Sequence, residues 1–179
     1  MLPVQISRIN KFAFDRLKEI RKNERGVATI GFKKEISTEI EIFASADRIW
    51  QILTDFAAYP QWNPYIREIS GEVKVGSKLK VFMKPEWEKG VTIHPRIIRL
   101  EPKKELTWKG NFFFPGLLDG ERSFILEEIS GHRVRFIQKE KFSGIAIPFI
   151  SVSWSIEKGT VRSFGDMNSA LKKRAEKVK

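Results

Sequence analysis

Cysteine is absent from this 179-residue chain, which excludes a disulfide framework, thiol catalysis and any cysteine-based metal site. Histidine is scarce as well. His94 and His132 are the only two, too few for a histidine-rich metal centre. No apolar run approaches the roughly 18 residues of a membrane-spanning helix. The N-terminus lacks the continuous apolar stretch of a secretory leader, because charges recur from Arg8 onward. Ser-His-Asp spacing, paired carboxylates and a Gly-rich phosphate loop are not evident, and there are no internal repeats or low-complexity segments. These absences leave a cytoplasmic domain of one core with no metal and no cofactor expected, since roughly 100–200 residues is the usual domain size.

Basic charge is plentiful, at a net +11. Residues 1–30 supply +4 and residues 166–179 supply +3, so most of it sits at the two ends. A nucleic-acid surface would interleave basic and stacking aromatic residues on one face. Here the aromatics alternate at strand spacing and read as internal, so no nucleic acid is expected as a partner.

The most constrained stretch is Asp55–Ile66, DFAAYPQWNPYI. Pro60 and Pro64 bias Tyr59 and Asn63 towards extended or turn conformations, which ends a short helix near Phe56. Tyr59, Trp62 and Asn63 are thereby held on a rigid linker beside a sheet, a geometry that suits a pocket wall.

Before it, residues 2–25 carry Ile6, Ile9, Ala13, Leu17 and Ile20 at helical spacing, with lysines and arginines largely off that stripe and Gly26 as a stop. Residues 1–30 are therefore read as a basic amphipathic helical extension. It either docks on the domain or a sister chain, in a monomer or homodimer, or makes peripheral membrane contact through residues 1–25. Residues 33–179 form the main domain.

That domain opens with Ile36, Thr38, Ile40 and Ile42 alternating with Glu35, Ser37, Glu39 and Glu41, a strand with one buried face. Ser45 caps the short helix that follows, with Arg48 where a capping box has an acid. Strands are expected near 65–74, 78–86, 91–101, 104–113, 121–129 and 133–142, joined by turns as an antiparallel meander. Val161, Phe164, Asn168, Leu171, Ala175 and Val178 then mark one face of a long C-terminal helix. The fold class is α+β.

Several motifs occur in a telling order: Asp55…Tyr59-Pro60-x-Trp62-Asn63-Pro64, Leu100-Glu101-Pro102…Leu106-x-Trp108-x-Gly110, and Pro115-Gly116-Leu117…Gly120-Glu121…Phe124. Glu140-x-Phe142-x-Gly144 and Met167-Asn168-x-Ala170-Leu171-Lys172 complete the set. Over residues 33–177 the chain resembles the START-like (SRPBCC) superfamily in its polyketide cyclase/dehydrase-like branch. The resemblance implies a helix-grip fold: a curved seven-stranded antiparallel sheet gripping the C-terminal helix, with two short helices after the first strand. It also implies an apolar cavity, because members bind lipids, quinones, sterols or polyketides and some act as cyclases.

Strand parity assigns the inward faces. Leu79, Val81 and Met83 share one; Leu106, Trp108 and Gly110 another, with Gly110 opening space beside Trp108. Phe124, Leu126, Val134 and Phe136 complete the set. Extrapolating ~24 cal/mol per Å³, a dry 400 Å³ hollow would cost about 10 kcal/mol, comparable with a whole domain's stability of ~5–15 kcal/mol. Any such hollow holds ligand or water, or is partly collapsed. Two charges break the apolar face. If Leu126 pairs with Phe136, Arg122 falls opposite Glu140, with Gln138 between, forming either a head-group anchor or an ordinary ion pair. The candidate ligand-binding residues are Tyr59, Trp62, Asn63, Val81, Met83, Trp108, Phe124, Phe136, Gln138, Phe164 and Asn168.

His94, in a strand with Pro95 as a bulge, joins Arg122 and Glu140 as the only catalytic candidates. His132 belongs to an exposed turn, and Phe112, Phe113 and Phe114 before Gly116 read as an apolar lid. The preferred function is binding or transport of a hydrophobic small molecule (lipid, quinone or polyketide-like) in a cavity between sheet and helix. The alternative is a polyketide cyclase/dehydratase-type enzyme using the same cavity.

Overall fold

The computed structural model describes residues 21–22, 28–29, 32–85, 89–112, 115–145, 147 and 154–177. β1 (Arg21–Lys22) and β2 (Ala28–Thr29) pair antiparallel as a separate small ladder. Residues 21–22 are thus extended where the apolar stripe predicts helix; the rest of that stripe and Gly26 lie outside the described residues.

The main body begins with β3 (Phe32–Ile42), α1 (Ala46–Thr54), a 3-10 turn (Phe56–Ala58) and α2 (Tyr59–Trp62). There follow β4 (Ile66–Ser70), β5 (Lys80–Met83), β6 (Val91–Ile93) and β7 (Arg96–Glu101). β8 (Glu105–Phe112), β9 (Leu118–Ser130), β10 (Arg133–Gly144) and α3 (Trp154–Glu176) complete the order. Five strands pair antiparallel in the order β3-β10-β9-β8-β7, and three more as β4-β5-β6.

Eight strands in two sheets thus replace the seven in one that were expected, within the same α+β helix-grip class. Pro95 is the physical cause. It donates no backbone hydrogen bond, and the strand expected over 91–101 stops at Ile93, crosses from one sheet to the other, and restarts at Arg96. Leu79 N to Pro95 O (2.8 Å) and Ile97 N to Ser77 O (3.0 Å) stitch the sheets together at the crossing. Gly110 is part of this joint. A Cβ there would lie 3.2 Å from Pro95 Cα and Cβ, so the room beside Trp108 is filled by the proline rather than left open.

The proline linker holds a second correction. Asn63 is extended (φ −88°, ψ 114°), but Tyr59 is helical (φ −54°, ψ −43°). A proline in the first helical turn lacks only a hydrogen that the helix does not use. Burial of the Tyr59 ring and its hydroxyl bond to Leu53 O (2.8 Å) hold the residue there.

α3 packs through Phe164, Met167, Leu171 and Ala175, with Ser163 and Asn168 also buried. Val161 is 43% exposed, so the buried stripe does not reach it and takes in Met167 instead; Val178 lies outside the described residues. Burying the Phe164, Met167 and Leu171 side chains is worth about 1.5–3 kcal/mol each before entropy. Arg48 fixes the far end of the helix. Its Nε donates to Ala175 O (2.5 Å) and its Nη2 to Lys177 O (2.8 Å) and Arg174 O (3.4 Å). A cation thereby meets carbonyls that the helix cannot satisfy itself. Ser45 Oγ accepts from Arg48 N (3.3 Å), so the partial cap of α1 and the clasp on α3 share one residue.

Phe113 and Phe114 lie outside the described residues. The loop after them is fastened to the end of β10: Gly116 O accepts from Ile145 N (3.1 Å), and Gly144, at φ +138°, leaves no room for a Cβ against Leu117 O.

Candidate ligand site

β9 and β10 pair Leu126 with Phe136, and that register sets Arg122 opposite Glu140 and Phe124 opposite Gln138. β3 adds Thr38 opposite Gln138 and Ile36 opposite Glu140. Parity turns this row inward, under α3. Arg122 and Glu140 are only 4% and 6% exposed.

The Arg122 guanidinium makes the most contacts there. Its Nε donates to Glu140 Oε2, its Nη2 to the Tyr65 hydroxyl (3.4 Å), and its Nη1 approaches Met83 Sδ at 3.9 Å. The same group lies over the rings of Phe164 (4.5 Å to the centroid) and Tyr65 (5.2 Å), where the ring quadrupole favours a cation. Burial disfavours the charge, but Glu140 and Tyr65 outweigh it and hold the Arg122 pKa above its ordinary value. Arg122 therefore stays a cation at any working pH and cannot act as an acid. Burial likewise pushes the Tyr59 phenol well above the usual tyrosine range, with Arg122 opposing and Asp55 adding to the shift.

One turn along α3, Gln138 Nε2 donates to Phe164 O (3.3 Å) and to Asn168 Oδ1, and Asn168 Nδ2 donates to Thr38 Oγ1 (3.1 Å). Gln138 Oε1, Asn63 Nδ2 and Trp62 Nε1 are buried without a hydrogen-bond partner. Leaving such an atom unmade costs about 1–3 kcal/mol. The amide oxygen of Asn63 is satisfied: Asn63 Oδ1 accepts from Tyr65 N (3.0 Å) and Ile66 N (2.8 Å) and so shapes the entry into β4.

Trp108, Phe124 and Phe136 form an aromatic ladder across three strands, edge-on at 5.0 Å and then stacked at 6.3 Å. Val81 and Met83 join them in the core, as do Tyr59 and the partly buried Trp62, whose rings meet edge-on at 5.0 Å. Beside the ladder and Val81, the remaining sequence candidates fall into two settings. Arg122, Glu140, Gln138, Phe164, Asn168 and Met83 meet around the polar cluster, whereas Tyr59, Trp62 and Asn63 belong to the α2 side of the core. His94 meets neither. It is exposed at the sheet crossing, and His132 is exposed in the β9–β10 turn.

Sequence reading missed Tyr65 and Thr38. Thr38 carried a signal, an inward-parity hydroxyl beside Ile36 and Ile40. Tyr65 carried none, because it precedes β4 in a bend where strand parity does not apply. Among the described residues there is no group of three His, Asp or Glu side chains able to hold a metal, and no helix long and apolar enough to cross a membrane.

A family model described as polyketide cyclase / dehydrase and lipid transport matches residues 33–176. Among solved structures the chain is similar to the Zhui aromatase/cyclase from Streptomyces sp. R1128, at 16% identity and TM-score 0.66 over 81% of this chain and 94% of that one. A START superfamily protein from Mycobacterium smegmatis is similar at 18% identity and TM-score 0.63, over 79% and 97% of the two chains. Norcoclaurine synthase from Thalictrum flavum, in complex with dopamine and hydroxybenzaldehyde, is similar at 16% identity and TM-score 0.62, over 83% and 91%. Identities this low carry the fold alone. No curated protein sequence matches the chain.

Proposed function

Because the chain belongs to the polyketide cyclase / dehydrase and lipid transport family, with the START-like fold of a ligand-binding superfamily, we propose that it binds and carries an apolar small molecule between the sheet and α3. The molecule has an apolar body and at least one polar group. One observation carries this reading: Gln138 Oε1 is fully buried, has no partner, and faces the same inward side of the sheet one row along from the Arg122–Glu140 pair. A ligand hydroxyl or amide would satisfy that oxygen, and the aromatic ladder suits a flat ring or acyl chain. Lipids, quinones and polyketide-like rings with a hydroxyl all fit this description.

The carrier reading is preferred to catalysis because the inward charges are engaged with each other. Arg122 is a permanent cation bonded to Glu140, and His94 is on the outside. A cyclase-type enzyme is favoured by one feature. The Tyr65 hydroxyl accepts from Arg122 and has its own O–H left to donate, and Glu140 is a carboxylate on the same guanidinium.

A thermal-shift panel of lipids, quinones and aromatic polyketides tests the proposal. A true ligand at 100 times its Kd adds about 2.7 kcal/mol of stability, and Gln138→Leu should weaken hydroxylated ligands more than their deoxy analogues. Equal response of both variants to every compound would reject Gln138 as the anchor. Tyr65→Phe separates the readings: a carrier keeps its ligand, whereas an enzyme loses turnover of a poly-keto substrate.

A further inference from the structure

A second row of paired residues runs along the outer face of the sheet, one position away from the inner row on each strand. Lys78 opposes Arg96, and Arg96 opposes Lys109. Beyond them the row continues through Glu121, Lys141 and Glu35, alternating in sign. The first three positions break that alternation. Residues directly opposite hold their Cβ atoms about 4.5–5.5 Å apart on one face, where like charges destabilise the sheet. Glu121, one strand beyond Lys109, is the nearest acid along the row and flanks only one of the three cations.

The sheet crossing at His94 leaves a groove of about 550 Å³ over these cations, walled also by Thr92, His94 and Asn111, and no carboxylate lines it. Arg96 is tied by one guanidinium nitrogen to Gly76 O, which fixes its position in the middle of the row. Lys78 and Lys109 are exposed on either side.

We propose that this groove is a binding site for a phosphate-bearing small molecule, separate from the interior ligand and on the opposite face of the sheet. The charge count selects the class. A single carboxylate would leave two cations facing each other, whereas a phosphate ester or diphosphate neutralises the run. The arginine offers a planar fork of donors and the lysines point charges. Thr92 and Asn111 supply neutral hydrogen bonds for the remaining oxygens, and the volume exceeds that of phosphate alone. The phosphate belongs either to a soluble ester or to a lipid head group.

Calorimetric titration of the full chain with inorganic pyrophosphate tests the site. Sedimentation with phosphatidylcholine vesicles, with and without phosphatidic acid, distinguishes the source. Saturable pyrophosphate binding is expected, weakened by added salt and at least about tenfold weaker in Lys78→Gln/Lys109→Gln, since two nearby charges are removed. Lys33→Gln/Lys173→Gln removes equal charge from β3 at the opposite edge of the sheet and from α3, and should bind as wild type. Binding only to phosphatidic-acid vesicles, with the same dependence on Lys78 and Lys109, supports the site and assigns a lipid head group. Pyrophosphate binding that both double variants weaken equally is general attraction to a basic chain and overturns the proposal, as does binding in neither assay. Melting curves without anion should be no lower for Lys78→Gln/Lys109→Gln than for wild type, which separates lost binding from lost fold.

Discussion

The two rows of charge lie one residue apart along the same strands, yet their surroundings make them opposites. Ile97, Trp108, Arg122, Glu140 and Ile36 pair in sequence on the inner face, and Arg96, Lys109, Glu121, Lys141 and Glu35 on the outer. Inside, water is excluded, so a lone charge is prohibitive and Arg122 is found bonded to Glu140. Outside, water screens each cation, and three can stand side by side at small cost. Burial, rather than residue type, decides whether a charge must be answered by the protein itself.

Breaking the inner pair should have the largest effect. Glu140→Leu strands a buried guanidinium and is expected to cost about 3–5 kcal/mol, roughly 6–20 °C in melting temperature for a chain of this size. The double variant Arg122→Met/Glu140→Leu should recover most of that loss in urea unfolding. A single variant as stable as wild type would mean that the pair is not buried in the folded protein.

Arg48 is an intermediate case, a cation at the domain edge that answers helix carbonyls instead of a carboxylate. Arg48→Ala should cost about 1–2 kcal/mol. Amide exchange should quicken in the last turn of α3 while β9 stays protected, and uniform loss of protection would contradict a local clasp.

Tyr59 extends the comparison to a buried group that must stay neutral. Its folded pKa lies above the unfolded value near ~10, so the folded state holds its proton more tightly. The stability linked to it is fully present below about pH 10 and is lost as pH rises through the folded pKa. Tyr59→Phe should cost about 1 kcal/mol at neutral pH through the lost bond to Leu53 O. It should also flatten the alkaline fall seen in wild type; an unchanged alkaline limb would remove Tyr59 as its source.

The outer row should respond least. Lys109→Gln should change stability by no more than about 0.5 kcal/mol, in the stabilising direction, because it removes a like-charge neighbour of Arg96. A clear destabilisation would show that Lys109 acts mainly with Glu121.

Much of the inner row was legible in the sequence. Alternation in β9 and β10 gave the faces, and a single guess, Leu126 opposite Phe136, carried Arg122 to Glu140. The same periodicity found the long helix and the strand before α1. What escaped needed information that parity does not hold. The crossing at Pro95 moves one predicted strand into two sheets, and a register shift between Ile97 and Arg99 breaks the count along β7. Lys78, in an isolated bridge before β5, Arg96 on β7 and Lys109 on β8 become neighbours only through that irregular joint. Tyr59 went the other way, because a helix start accepts proline where the rule for the preceding residue disfavours it.

Two methionines, Met83 and Met167, offer the most direct measurement of a ligand between sheet and helix. Met83 sulfur approaches Arg122, and Met167 is buried on α3. With ¹³C-methyl methionine in the full chain, a quinone or hydroxylated fatty acid that stabilises the protein should shift the Met83 and Met167 methyl signals. Pyrophosphate, bound on the outer face, should leave both unmoved. A stabilising apolar ligand that saturates without moving Met83 or Met167 would contradict the interior site.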